Sequence, residues 1–460
     1  MTTTLVPSSL SSRVETVDVL RGVAVLGILT MNIVSFALPG VSYINPMADS
    51  AVPFAGPFDG ADRLLWWAQH LLADQKFMAI FSMLFGAGLI LQGSRAADPA
   101  PGKARFAAIY YRRLLWLFLI GMLHAYLLWY GDILVAYALC GLLLYPLRNF
   151  RWGWLLTLGI IILLVAVVIQ GGMGAMLRHF QAQYEETLAA IPPGQEPTLE
   201  QRATLDQWAQ MSASFYQSPE TVADEVKEVR SGYGGVLGYN ARTSLYMQTF
   251  LFAIWTFWRA SGCMLIGMAL MKLGFFANKC SRSAYATTLV LGYAIGLPLA
   301  YIGGLRQIDH DFDMIWAIYT DWHFNYVGSV LVALGHVSLV MLLVRMRSQS
   351  ASAANPPASG FIASRFAAVG RMPLTNYLAQ TLLCTFVFFG WGLAQFGHWT
   401  RAESFLLVPA VWALLLLWSP WWLARFRFGP AEWLWRSLTY WHRQPMRHAP
   451  QANAAPAPLL

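Results

Sequence analysis

The sequence predicts an all-α membrane protein, a polytopic bundle of about ten transmembrane helices with both termini in the cytoplasm and a small helical loop domain in the periplasm. Three observations predict this class. Of the 460 residues, 57% are hydrophobic and only 12% are charged. The mean hydropathy is +0.48, outside the range of soluble domains. Long apolar runs recur throughout the chain, and basic residues gather between alternate runs.

Ten apolar runs are predicted as membrane spans. They cover residues 17–38, 77–93, 113–130, 132–147, 153–177, 246–271, 283–303, 326–344, 372–392 and 404–424. Residues 62–74 have one apolar face and predict a helix at the membrane interface before the second span. The N-terminal segment lacks a basic region followed by a small-residue cleavage site, so we expect the first run to remain as a helix.

The loop charges predict the orientation, because cytoplasmic loops retain Lys and Arg. Fourteen basic residues against one acid, Asp98, lie in the loops assigned to the inside. The basic residues are Arg95, Lys103, Arg105, Arg112, Arg113, Arg148, Arg151, Lys272, Lys279, Arg282, Arg345, Arg347, Arg365 and Arg371. The longest outside segment carries nine acids and four bases. The net charge of +8 therefore reflects membrane orientation, and we expect no nucleic-acid partner.

The acidic segment divides the chain into halves. We expect five spans in residues 1–178, a periplasmic acidic loop in residues 179–245, five spans and an amphipathic cytoplasmic helix in residues 246–445, and a disordered tail in residues 446–460. Within the loop, TLEQRATLDQWAQMSASFY has helical spacing, and IPPGQEP and GYGGVLGYN bracket it with turn sequences.

Polar side chains inside spans are the first candidates for function, because each costs several kcal/mol unless it is paired. Asp18 and Arg21 lie one turn apart and can pair. Asn32 follows Arg21 by eleven residues, which places both on one helical face roughly 16 Å apart. The alternative is a positive-inside anchor plus one interhelical amide hydrogen bond.

Two neighbouring runs supply a candidate acid–base pair. His124 lies near the end of the third run, and Asp132 opens the fourth after a tight WYG turn. A carboxylate would orient the imidazole and raise its basicity. Alternatively, Asp132 caps the following helix while His124 bonds a neighbouring carbonyl. Arg259, deep in the sixth run, either faces substrate or pairs with Asp132 or another buried acid.

Four cations are candidates to hold the phosphates of a ligand. Arg112 and Arg113 end a cytoplasmic loop, and Arg21 and Lys76 lie at the ends of spans. The alternative for Arg112 and Arg113 is that they only set the orientation of the chain in the membrane. Lys76 starts a span on the outward side, where it snorkels or pairs with Asp74.

The remaining polar positions have plainer expected roles. Asn376 and Gln380 lie one turn apart and are expected to hydrogen-bond between helices. His336 is expected to be a satisfied core histidine. His310 and His323 lie among several Asp residues, but their spacing fits no structural zinc pattern, so we expect no metal.

Five motifs carry a family resemblance when they are taken together and in order. They are DVLRGVAVLGILTMN, FMAIFSMLFGAG, RRLLWLFLIGMLHAYLLWYGDILVAYALCG, GRMPLTNYLAQTLL and FRFGPAEWLWRSLTY. The chain resembles the YeiB-like bacterial inner-membrane proteins, which carry domain of unknown function 418. That family is grouped with the transmembrane acyltransferase superfamily, which includes surface-glycan acyltransferases and the lysosomal heparan-glucosaminide N-acetyltransferase.

The resemblance extends to single positions of the first helix. Glycan acyltransferases have an Arg and a His with ten residues between them, and the lysosomal enzyme has an Asn at the second position. Arg21 and Asn32 have that spacing here. The lysosomal enzyme then places a catalytic His where this chain has Tyr43. A proton-transfer group must therefore come from elsewhere in the chain.

The resulting hypothesis is an integral-membrane acyltransferase that passes an acyl group from cytosolic acyl-CoA to a periplasmic or membrane-embedded glycan or lipid acceptor. Arg21 and Arg113 would hold the donor, Asn32 would bind the reacting carbonyl, and His124 oriented by Asp132 would accept the acceptor's proton.

The competing hypothesis is a non-enzymatic transporter or exporter of a small solute or lipid. In that case Arg259 and Asp132 would line a pathway through the bundle. Membrane lipid is the expected surrounding partner under both hypotheses.

Overall fold

The computed structural model describes residues 15–51, 58–95, 103–213, 215–350 and 360–448. Asp98 and most of the predicted tail, residues 449–460, lie outside these ranges. The described residues are helical and contain no β-strand apart from an isolated bridge between Phe426 and Arg447. The α-helices are α1 Glu15–Ala37, α2 Gly40–Ile44, α3 Gly60–Leu72, α4 Lys76–Arg95, α5 Lys103–Leu127, α6 Leu134–Leu144, α7 Trp152–Ala189, α8 Leu199–Ser212, α9 Pro219–Arg230, α10 Tyr233–Tyr246, α11 Phe257–Lys272, α12 Arg282–Asp309, α13 Met314–Trp316, α14 Trp322–Ser350, α15 Gly360–Arg371, α16 Pro373–Phe388, α17 Arg401–Phe405, α18 Leu407–Leu423 and α19 Pro430–Tyr440. Short 3₁₀ segments are Pro46–Ala51 and Tyr145–Asn149, and π-helical segments are Met247–Thr256 and Ala317–Asp321.

Eight helical stretches of the described chain are long and apolar enough to cross a membrane, which confirms the polytopic helical bundle. They are Thr16–Ala37, Gly60–Gly93, Phe106–Leu127, Trp152–Ala189, Tyr233–Lys272, Arg282–Asp309, Met314–Met346 and Arg401–Leu423. The other two predicted spans are shorter. Residues 132–147 form the 11-residue helix α6 and a 3₁₀ turn. Residues 372–392 contain the 16-residue helix α16, which directly follows α15.

We call the predicted loop of residues 179–245 the outer segment. Helix α7 continues into it as far as Ala189, and α10 begins within it at Tyr233. The helix predicted between them is confirmed as α8, which begins with a capping box of Thr198 and Gln201. Of the predicted turn motif GYGGVLGYN, only Gly232, at a φ of 107°, lies outside a helix, and the rest is helical.

Hydrogen bonds tie the outer segment to the ends of several spans. The Tyr233 hydroxyl donates to the carbonyl of Leu127 at the end of α5 (3.1 Å). Glu225 accepts from the amide of Gly40 just beyond α1 (2.8 Å). Near the middle of α5, the indole N–H of Trp435 in α19 donates to the Arg113 carbonyl (2.9 Å). Helix α19 and the outer segment therefore contact α5 at different heights.

Helices α4 and α11 cross at very short distance. A Cβ on Gly86 would lie 2.0 Å from the Met264 carbonyl oxygen, and one on Gly267 would lie 1.9 Å from the Met83 carbonyl oxygen. Small residues permit this approach of two backbones in a membrane bundle. The crossing brings Arg259 of α11 close to the start of α4.

Glu432 fixes α19 to the first turn of α16. Its carboxylate accepts hydrogen bonds from the amides of Leu374 (2.6 Å) and Thr375 (3.1 Å) and from the Thr375 hydroxyl (2.5 Å). These amides belong to the helix N-terminus, where no intrahelical acceptor exists. A carboxylate there also interacts favourably with the helix dipole.

We expect Glu432→Ala to reduce the free energy of unfolding by about 2–3 kcal/mol, because it leaves buried amides without an acceptor. Thermal unfolding in detergent, followed by circular dichroism, measures the change. Glu200→Ala, in the exposed first turn of α8, is the matched control and should leave stability unchanged. Equal melting temperatures for the two variants would contradict the capping role.

The same carboxylate predicts a pH dependence. Burial raises the pKa of Glu432 above its ordinary value of 4.5, against the lowering effect of its hydrogen bonds. A raised folded-state pKa stabilises the protein below the unfolded-state pKa, and this contribution is lost as the pH rises through the folded-state pKa. As the pH rises from the unfolded-state pKa of Glu432 through its folded-state pKa, we expect the wild type to lose stability relative to Glu432→Gln. A constant difference in melting temperature across this interval would contradict the assignment.

Candidate functional site

His124 and Asp132 form the pair that the sequence predicts. Nδ1 of His124 lies 2.9 Å from Oδ1 of Asp132, and both side chains are buried. The other oxygen of Asp132 accepts from the Val135 amide at 2.8 Å, so the carboxylate also caps α6. Gly121 permits the close approach of the two helices, since a Cβ there would lie 2.9 Å from the Asp132 carboxylate. The orienting and capping roles that seemed to be alternatives thus occur together.

A third residue completes the arrangement. The Thr381 hydroxyl of α16 lies 2.9 Å from Nε2 of His124. When the Asp132 carboxylate accepts the proton on Nδ1, Nε2 is the acceptor and the hydroxyl donates to it. Tyr377, one turn earlier in α16, packs against the imidazole with ring centres 5.1 Å apart. We call Asp132, His124 and Thr381 the His124 triad.

A second group of buried polar side chains lies at the outer ends of α4, α11 and α14. We call Asp74, Lys76, Arg259, Asn325 and Ser329 the outer cluster. The Lys76 ammonium donates to the Asn325 side-chain oxygen (2.6 Å) and also to the His70 carbonyl. The Asn325 amide donates to the Asp74 carboxylate (2.6 Å). The expected pairing of Lys76 with Asp74 is therefore bridged by an amide.

Among the described residues, no Asp or Glu side chain accepts a hydrogen bond from Arg259, although a pair with a buried acid was one expectation for it. Within the described part of the chain, its guanidinium donates to the Tyr326 carbonyl (2.6 Å), the Ser329 hydroxyl (2.5 Å) and the Gln75 carbonyl (3.4 Å). Gln75 has a φ of 63°, so the turn between α3 and α4 directs a backbone carbonyl at the cation. Pairing with Asp132 is wrong, because carbonyls and a hydroxyl take that place.

Basic side chains converge between the first half of α1 and the first half of α5. Arg21 pairs with Asp18 at 3.3 Å, as expected. Arg113 donates to Gln92 at 3.2 Å, and the charges of Arg436 and Arg21 act on it. Its guanidinium also stacks on Trp435 at 4.1 Å.

Arg112 stacks on Trp441 at 4.6 Å, so α19 and the residue after it cover both arginines of the pair. We call Arg21, Arg112, Arg113 and Arg436 the inner basic cluster. Lys76 does not belong to it, contrary to the expectation of a shared phosphate site. The reason is that α4 begins at the outer side of the bundle.

Asn32 lies half-buried on α1, and no hydrogen bond joins its side chain to another described residue. Arg21 is also partly exposed on the same helix. Both positions are thus accessible along one stripe of α1, as the spacing predicts. The binding of a carbonyl by Asn32 stays a prediction.

Asn376, Gln380 and His336 make the interhelical contacts expected of them. Asn376 donates to the Val369 carbonyl (3.0 Å) and the Ser419 hydroxyl (3.2 Å). Gln380 donates to the Val25 carbonyl of α1 (3.0 Å). Both ring nitrogens of His336 are satisfied, by the Tyr293 hydroxyl at 2.7 Å and the Leu72 carbonyl at 2.9 Å. These residues hold helices together.

The outer histidines take part in a structural network. His310 and Arg306 both contact the buried Asp321 carboxylate, at 2.8 and 2.9 Å. His323 lies 3.1 Å from the carbonyl of Tyr319. No group of three or more His, Cys, Asp or Glu side chains suited to a metal ion occurs among the described residues.

Sequence reasoning missed Thr381, Asn325, Ser329 and Arg436. Thr381 lies within a predicted span and Asn325 lies one residue before another, and their partners are 257 and 249 residues away in the chain. Arg436 lies in α19, which the sequence predicts only as an amphipathic helix on the membrane surface. The motif NYLAQTLL, which contains Thr381, was the available signal for α16.

Known proteins match the chain over most of its length. It is 32% identical over 427 residues to uncharacterized protein YeiB of Escherichia coli K12, covering 92% of this chain and 95% of that protein. It is 29% identical over 456 residues to uncharacterized protein YxaH of Bacillus subtilis 168, covering 96% and 98%. A family model described as "Protein of unknown function (DUF418)" matches residues 270–442.

The chain belongs to the YeiB-like DUF418 family. The family model covers α16 and α19, and so it includes Thr381 of the His124 triad and Arg436 of the inner basic cluster. No solved structure matches the chain.

The outer cluster predicts that Asn325→Ala destabilises the protein by about 2–3 kcal/mol, because it deprives Lys76 and Asp74 of a shared buried partner. Thermal unfolding in detergent measures this. Thr249→Ala, at an exposed position before Arg259, is the control. An Asn325→Ala variant as stable as this control would contradict the bridging role.

Proposed function

We propose that this multi-pass membrane protein is an acyltransferase of the bacterial inner membrane, which moves an acyl group from cytosolic acyl-CoA to a glycan or lipid acceptor at the outer side. The observation that carries the proposal is the His124 triad, in which an imidazole lies between a buried carboxylate and a hydroxyl. This is the arrangement that general-base catalysis requires.

The donor would bind at the inner basic cluster. Guanidinium groups bind phosphate through charge-assisted hydrogen bonds, and the aromatic rings of α19 hold Arg112 and Arg113 in place. His124 follows Arg113 by eleven residues on α5, which is about 16 Å along the helix. The pantetheine arm of CoA is long and unbranched, so it suits a reactive thioester held at such a distance from the phosphates.

In the transfer step, the acceptor hydroxyl would take the place of Thr381 at Nε2 of His124 and lose its proton to the imidazole. Its oxygen attacks the thioester carbonyl, the C–S bond breaks, and the imidazolium returns the proton to the CoA thiolate. Asp132 stabilises the imidazolium while it exists. Asn32, half-buried on α1, would donate to the carbonyl oxygen as negative charge develops on it.

A transporter or exporter of a small solute or lipid is the second candidate. The buried charges of the outer cluster favour it, since charged side chains within a bundle commonly mark solute pathways. A transporter would move its solute without consuming a thioester, which separates the two functions.

We expect His124→Ala to lower the transfer of radiolabel from acetyl-CoA or palmitoyl-CoA to lipid or glycan by about 100-fold or more, because the general base is removed. Membranes that contain the overproduced protein supply the acceptor. His442→Ala, an exposed histidine of the same chain, is the matched control. Wild-type membranes that transfer no more label than membranes without the protein would contradict the proposed function.

Arg113→Ala is expected to weaken acetyl-CoA binding about tenfold, because one guanidinium contact to phosphate is lost. Isothermal titration calorimetry of the purified protein measures the affinity. Arg425→Ala, an exposed arginine near the cytoplasmic end of α18, is the control. Equal affinities of the two variants would place the donor elsewhere.

A further inference from the structure

The outer cluster holds more positive than negative charge. Lys76 and Arg259 are both completely buried, and Asp74 is the carboxylate that acts on both of them. Among the described residues, two basic side chains therefore face a single carboxylate in the interior of the bundle. A buried charge of this kind is costly unless a counter-charge is supplied.

The donors of Arg259 are directed at neutral groups. Its guanidinium contacts two carbonyl oxygens and one hydroxyl, and within the described chain its Nε has no hydrogen-bond partner. The side-chain oxygen of Gln75, the residue that turns its carbonyl towards Arg259, is likewise buried without a partner. The free Nε–H can donate one charge-assisted hydrogen bond to a carboxylate or phosphate oxygen.

The cluster reaches the protein surface only at Asp74 among its five residues. The side chain of Asp74 is 18% exposed, although Lys76 and Arg259 are sealed. Tyr43 lies within electrostatic range of Asp74 and is 41% exposed. Tyr43 follows the outer end of α1, so a ligand that reaches Asp74 past this residue comes from the outer side.

The helices of the cluster contact a helix of the His124 triad. The Tyr137 hydroxyl of α6 bonds to Ser82 of α4 at 2.7 Å, which joins α6 to the helix that carries Lys76. The same helix α6 begins beside Asp132, whose carboxylate accepts from the Val135 amide. The outer cluster and the His124 triad are therefore connected through α6.

We propose that the outer cluster is an anion site, in which Lys76 and Arg259 bind a carboxylate or phosphate group of a ligand that enters from the outer side. Asp74 and Asn325 hold Lys76 in position, and Ser329 holds Arg259. That this ligand is the acyl acceptor rests on the proposed function, and makes the acceptor an anionic glycan or lipid. The binding of an anion does not rest on it.

The test measures anion binding without any acyl donor. The purified protein is placed in nanodiscs of phosphatidylcholine, and its melting temperature is followed against inorganic phosphate, glucuronate and glucose at constant ionic strength. We expect phosphate or glucuronate to raise the melting temperature and glucose to leave it unchanged. The anion with the lower half-saturating concentration identifies the group as phosphate or carboxylate.

Two variants locate the effect. Lys76→Met removes one cation and is expected to raise the half-saturating anion concentration at least tenfold. Lys227→Met, an exposed lysine of the outer segment, should behave as the wild type. Ser329→Asp places a carboxylate beside the Arg259 guanidinium. It is expected to raise the melting temperature without added anion and to abolish the response to it.

Ser329→Asp also decides the case if Lys76→Met fails to fold. The proposal is overturned if neither anion raises the melting temperature of the wild type, or if the variants of the cluster respond as Lys227→Met does. Because the measurement contains no acyl-CoA, anion binding without transfer activity would contradict the acyltransferase and leave the anion site standing. Acyl transfer without anion binding would contradict the anion site and leave the acyltransferase standing.

Discussion

The absence of water from the hydrocarbon core determines how the polar residues of this chain are arranged. A polar group that finds no partner inside the bundle loses several kcal/mol of hydration without return. Gln380 donates to a carbonyl of α1, and His336 is satisfied on both ring nitrogens. Arg259 Nε and the Gln75 side-chain oxygen are among the buried polar atoms that have no partner within the described residues. We propose that a ligand supplies the partner of Arg259.

The fold forms three separate polar groups. The close crossing of α4 and α11 brings Arg259 to the start of α4, and so forms the outer cluster. Helix α19 is fixed to α16 by Glu432 and covers the arginines of α5. The His124 triad joins α5, α6 and α16, and His124 follows Arg113 by eleven residues on α5. Under the proposed function, a donor held at the inner basic cluster would reach the imidazole along α5.

Contacts between residues close in sequence could be predicted, and those between distant residues could not. The Asp18–Arg21 pair spans one helical turn, and His124 and Asp132 are joined by a short hairpin, so spacing alone indicates both contacts. The contact between His124 and Thr381 requires α16 to pack against α5, and one sequence contains no information on that pairing.

The rule that a buried charge pairs with an opposite charge did not predict the hydrogen-bond partners of Arg259. We expected an acidic partner, but the guanidinium donates to the carbonyl of Gln75, which has left-handed backbone, and to a carbonyl at the start of α14. The lengths of α6 and α16 were also overestimated. Pro146 lies in the 3₁₀ turn that follows α6, and Pro373 is the first residue of α16, so proline shortens both helices within their apolar runs.

The assignment of the two membrane sides is the claim on which the donor and acceptor roles depend. Labelling of single cysteines with a membrane-impermeant maleimide in intact spheroplasts tests it directly. Glu196→Cys, in the outer segment, should be labelled in a Cys280→Ser background, whereas the native Cys280 should react only after the membrane is permeabilised. Labelling of Cys280 in intact spheroplasts, with protection of position 196, would reverse the orientation and contradict the account.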